Sequence, residues 1–166
     1  GNTVEETPAP VPGGGGGGGG GSQAVLPQIG QFNGISDSNI EFTLDDNKTF
    51  SQVITLLRNT PSIQLASELK AFINNNSSEI GATFDEIGSI TVKRGSYYIA
   101  EYKKNDDINS ISKLIEAVID HVEKRVDDLD LESKNVSEYA ATLALGLTVE
   151  IKFSNNSSKT FDIHLQ

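Results

Sequence analysis

Nine consecutive glycines, Gly13–Gly21, decide where this chain can fold. Glycine loses more backbone freedom on ordering than any other residue and brings no side chain to bury. The segment before the run, Asn2–Pro12, holds three prolines, two glutamates and little that is apolar. Residues 1–27 are therefore expected to form a disordered Pro/Gly-rich leader or tether. As a flexible chain it would reach about 25–30 Å. Residues 28–166 remain to form a single globular unit, long enough to bury a core without staples. Such a core must be apolar packing alone, because the chain has no Cys, which also excludes disulfides, thiolate metal sites and a cysteine nucleophile.

The hydrophobic pattern predicts an α+β fold with about five mostly antiparallel strands. About three helices should cover one face of the sheet. Ile40, Phe42 and Leu44 alternate with Glu41 and Thr43, the period of a strand, and Asp45-Asp46-Asn47 reads as a turn. Phe50, Val53, Ile54 and Leu57 predict a short amphipathic helix over 49–59. Thr60-Pro61 reads as an N-cap and first helical residue, followed by the stripe Leu65, Ala66, Leu69, Phe72 and Ile73. Asn74–Ser78 should end that helix, and 79–88 reads as a loop or a single turn. Ser89–Arg94 and Tyr97–Lys103 flank Gly95-Ser96, a pair suited to a type II′ hairpin turn. That register faces Arg94 with Tyr97, Lys93 with Tyr98, and Val92 with Ile99, the last pair on the buried side.

The strongest element is a third helix. Asn105-Asp106-Asp107 supplies its cap, and Ile108, Ile111, Ile115, Val118 and Val122 its apolar stripe. Leu114, Ile119 and Val126 widen the stripe beyond a dimer seam, so the helix should lie across a sheet with Ile115 and Val118 at the centre of the contact. Tyr139–Leu143 reads as a short turn. Leu147–Phe153 and Phe161–Leu165 alternate as two last strands around Asn155–Ser158.

Catalytic patterns are sparse. The two histidines, His121 and His164, read as surface residues, and no serine sits in a G-x-S-x-G context. Asp127, Asp128, Asp130 and Glu132 are spaced like calcium ligands. Counting from Asp128, however, the sixth and twelfth positions hold Ser133 and Tyr139 where a calcium loop needs Gly and Glu. No metal or other cofactor is expected. A net charge of −10 argues against nucleic acid as a partner.

One group of residues departs from that acidity. Lys93, Arg94, Tyr97, Tyr98, Tyr102, Lys103 and Lys104 place four cations and three of the four tyrosines on one hairpin. Lys93, Arg94, Tyr97, Tyr98 and Tyr102 are thus the candidate binding residues, with Arg94 and Tyr97 exposed at the tip. They would meet an unidentified protein or an anionic ligand. The layout of a low-complexity arm before a folded domain, with no initiator Met, is similar to that of acylated bacterial surface lipoproteins. The expected function is a non-enzymatic, envelope-tethered domain, extracellular or in the cell envelope and monomeric. It would meet a membrane only through a lipid anchor at its N-terminus. The alternatives are a small hydrolase with a scattered site and an engineered fusion of the peptide Asn2–Pro12 to the domain.

Overall fold

The computed structural model describes residues 29–105 and 109–166; the leader, Asp106-Asp107 and Ile108 lie outside them. Among the described residues the fold is α+β, with one six-stranded mixed sheet and five helices. Strands β1 (Gly30–Ser36) and β2 (Asn39–Leu44) form a hairpin. Helices α1 (Phe50–Arg58), α2 (Ser62–Asn75) and α3 (Ser77–Ile80) follow, with one 3-10 turn at Phe84–Glu86. Strands β3 (Ile87–Arg94) and β4 (Tyr97–Lys103) form the second hairpin. Helices α4 (Asn109–Asp128) and α5 (Val136–Ala144) lead to β5 (Leu147–Phe153) and β6 (Ser158–Leu165).

Sheet order is β1-β2-β6-β5-β3-β4. Every pairing is antiparallel except β2 with β6, where Ile40 lies beside Ile163 and Phe42 beside Leu165. That parallel pair makes the sheet mixed, and β1 is a strand beyond the five expected. Two local devices hide β1 in the sequence. Its turn to β2 is Asp37-Ser38, both left-handed at φ 51° and 65°, where such a turn usually carries glycine. A bulge between Phe32 and Gly34 also breaks the two-residue alternation, so Phe32 and Ile35 share a face.

Opposed residues Ile90, Ile151 and Tyr102, and Val92, Val149 and Ala100, build the apolar face. The other face carries Thr91, Glu101 and Glu150, where the Thr91 hydroxyl donates to Glu101 at 3.1 Å. The apolar face joins Ile111 and Leu114 of α4 and Phe72 and Ile73 of α2 in one core. A second core gathers Phe42, Phe50, Leu65, Ile119, Val126, Val136 and Leu143.

The long helix is buried on a different line from the expected one. Ile111, Leu114, Ile119 and Val126 are buried, whereas Ile115 and Val118 are only half-buried. Leu114 and Ile119 stand about 140° apart around a helix of 3.6 residues per turn. Burial of both flanks means that α4 is gripped from two sides, by α2 and by the sheet, instead of resting flat on one surface.

Three helix boundaries also move. Thr60 does not cap α2: its hydroxyl donates back to the Leu56 carbonyl at 2.8 Å and closes α1, and Pro61 takes the cap position. After α2 stops at Asn75, Ser77–Ile80 adds a helical turn that ends on Gly81 at φ 97°. The expected short turn at 139–143 is the nine-residue helix α5. Asn135 caps it, accepting from the Ser137 N–H at 2.9 Å, while its amide donates to the Asp46 carbonyl. Its start is thereby stitched to the start of α1, whose own cap is the reciprocal pair Thr49 and Gln52.

Candidate functional site

The β3–β4 hairpin turns where expected, at Gly95-Ser96, with Gly95 at φ +58°. Arg94 faces Tyr97 and Lys93 faces Tyr98. A bulge then shifts the ladder, so Val92 faces Ala100 instead of Ile99. The rest of the cationic patch differs from the expectation. Arg94 is not an exposed tip residue. Its guanidinium donates to the Leu143 carbonyl at 2.7 Å, to the Leu145 carbonyl, and through Nε to His121 Nε2 at 3.0 Å. The Gly95 N–H adds a bond to the Gly146 carbonyl at 2.8 Å. Arg94 therefore bolts the hairpin turn to the corner between α5 and β5, where the ends of two elements leave carbonyls without helical or ladder partners.

The other cations are partly engaged. Lys93 lies 3.7 Å from Glu150, Lys103 lies 3.8 Å from Glu101, and the Lys104 ammonium donates to the Asp85 carbonyl. Tyr102 is buried in the core against Phe84, with ring centroids 5.5 Å apart, so it offers no contact surface. Its facing residue, Ile90, lies on the apolar side, which places Tyr102 there too.

Aromatic and aliphatic surface remains at the tip. Tyr97 is 63% exposed, Tyr98 53% and Leu145 76%. Arg94 faces Tyr97 and holds the Leu145 carbonyl, so these two share a corner, whereas Tyr98 faces Lys93 on the opposite face of the hairpin. Tyr97 also stacks on His121, with centroids 5.9 Å apart and planes 25° from parallel. His121 is half-buried instead of a free surface residue. Burial, then Arg94 and Arg125, hold it below the ordinary histidine value. The Nε2 that accepts from Arg94 is an unprotonated ring nitrogen. Arg94 is itself lowered, first by burial and then by Arg125, and the Arg125 Nε is buried without a hydrogen-bond partner. Sequence reasoning missed Leu145, His121 and Arg125. The spacing of His121 and Arg125 was readable, but only the fold brings them beside Arg94.

A second feature lies at the opposite end of the sheet. Phe32, Asn33 and Gly34 of β1 face Glu68, Ala71, Phe72 and Asn75 of α2, with Asn76, across a cleft of about 320 Å³. Both Glu68 carboxylate oxygens are shielded from water and lack a well-formed hydrogen bond, the Gln64 amide being the donor near them. Burial pushes this carboxyl up to about 7, an effect that the nearby Gln64 amide only softens. Glu68 was readable only as a charge at the border of the α2 stripe; the cleft needs β1, which the sequence concealed.

The acidic run Asp127–Glu132, which begins in the last turn of α4, is exposed at Asp127, Asp128, Asp130 and Glu132. Glu132 is raised by its hydrogen bond with Asp127 and by repulsion from Asp127 and Asp130. Among the described residues no group of three or more acids or histidines stands where it could hold a metal ion, and no helix is long and apolar enough to cross a membrane. No family model matches the chain, and neither a curated protein nor a solved structure matches it.

Proposed function

We propose that this chain is a non-catalytic binding domain, held at a cell envelope by its N-terminal arm, that meets a protein partner through the β3–β4 tip. The observation that carries the reading is the exposure of Tyr97 and Leu145 at one corner that Arg94 holds in place, with Tyr98 exposed on the other face of the same tip. Contact surfaces of this kind draw most of their affinity from a few large, pre-positioned aromatic and aliphatic groups. Arg94, His121 and Arg125 crowd together beneath the tip, and among the described residues no carboxylate counters the effect of Arg125 on the other two. An acidic side chain on the partner, placed beside the apolar contact, would relieve that crowding. The envelope assignment rests on the composition of the arm, Asn2–Ser22, whose reach would present the domain away from its anchor.

A photo-reactive phenylalanine analogue at position 97, in the full chain in its native cells, tests the contact. A discrete adduct from position 97, absent when the analogue replaces Thr160 on another strand, is the expected result. Adducts from Thr160 with none from position 97 would move the contact off the hairpin. Fractionation of the same cells tests the tether, and a chain wholly in the cytosol would refute it. A hydrolase reading gains one carboxyl of raised affinity for protons, Glu68. Its cleft, however, offers neither a nucleophile nor a second acid among the described residues that line it.

A further inference from the structure

We propose that the cleft between β1 and α2 binds an organic cation, an ammonium or guanidinium group, with Glu68 as its counter-ion. A carboxylate shielded from water, with only the Gln64 amide near it and no well-formed hydrogen bond on either oxygen, is a costly arrangement in a finished fold. The oxygens are not reached from the cleft as they stand, so a cation entering it engages them through a change of the Glu68 rotamer and then supplies donors and charge together. The walls suit an organic cation better than a metal ion. Phe32 and Phe72, with rings 4.3 Å apart, give an apolar side for a carbon stem. Asn33, Asn75 and Asn76 give amide groups at the rim. A divalent metal would need six or more oxygen ligands, and among the described residues Glu68 is the one carboxylate that lines the cleft.

Among the described residues no other charged group is paired with Glu68. β1 contains none between Gly30 and Ser36. Lys70, on α2, lies over the Phe84 ring at 5.2 Å. Glu116 of α4 takes a hydrogen bond from Ser62 at the start of α2, and Glu79 of α3 is exposed. Ionisation of Glu68 should therefore control binding by itself. The site lies on the opposite edge strand from the hairpin tip and does not depend on the partner reading above.

Titration of the full, 15N-labelled chain with n-butylammonium, and separately with an acetylated, amidated Val-Lys-Val peptide, tests the proposal at constant ionic strength. Saturable amide shifts at Asn33, Gly34, Ala71 and Asn76 are expected at pH 8. At pH 6, one pH step below the value of about 7, affinity should be about tenfold weaker because most of Glu68 is protonated. Glu68→Gln should abolish the shifts. Ala71→Leu, which keeps the carboxyl and fills the cleft from α2, should block them as well. Tighter binding of the peptide would identify a lysine side chain as the source of the cation, and equal binding a free amine. Absence of saturable shifts in the unsubstituted chain, undiminished binding by Glu68→Gln, or shifts centred on Asp127–Glu132 would overturn the proposal.

Discussion

Glu68→Gln should make this protein more stable at pH 8 and change little near pH 4.5. In the unfolded chain the carboxyl ionises near 4.5, and in the folded chain burial raises it to about 7. Between those values the folded state holds more protons than the unfolded state, so the stability contributed by Glu68 falls as pH rises through the window. That contribution is fully present below 4.5 and is lost as pH passes 7. Each factor of ten in proton affinity is about 1.4 kcal/mol, so the gap between 4.5 and about 7 sets a ceiling of about 3.4 kcal/mol. Glu68 as a whole residue is only half-buried although its oxygens are covered, and solvent close by reduces the figure to about 1–2 kcal/mol. Glutamine keeps the shape and removes the charge. Urea denaturation at pH 8 should show a midpoint higher by roughly half a molar or more, with an unchanged slope. At pH 4.5 the gain should shrink to a few tenths of a kcal/mol. A loss of stability at pH 8, or a gain independent of pH, would show that donors in solution already satisfy the carboxylate, and the reasoning would fail.

Three further perturbations test the packing. Arg94→Ala should cost about 2 kcal/mol by urea denaturation, since it removes donors from two carbonyls and from His121; a cost within error would return Arg94 to the surface. Ile111→Ala should cost about 3–4 kcal/mol in the same assay, and Ile115→Ala distinctly less, because Ile111 is buried and Ile115 only half-buried; the reverse order would restore the centre of the contact to Ile115. Gly30→Ala should cost at least about 2 kcal/mol, because a Cβ there would lie 2.1 Å from the Thr43 carbonyl oxygen; thermal unfolding at an unchanged midpoint would show that β1 does not lie against β2.

The elements written in local pattern were legible in the sequence: the α1 and α2 stripes, the β3–β4 turn at Gly95-Ser96, the long α4, and the alternation of β5 and β6. Each depends on neighbours within about seven residues, which a sequence displays directly. β1 was not legible, because Asp37-Ser38 takes the left-handed turn without glycine and the bulge after Phe32 breaks the period. The candidate binding residues divide in the same way. The proximity of Lys93 to Tyr98 and of Arg94 to Tyr97 follows from the turn alone. Whether their charge is available does not, because the partners of Arg94 are 27 to 51 positions away in the chain. Local periodicity fixes which face of each element is apolar. Only the tertiary structure decides how deeply that face is buried and which polar groups are left without partners, because those depend on which elements meet and on how many sides, as α4 shows with both flanks enclosed.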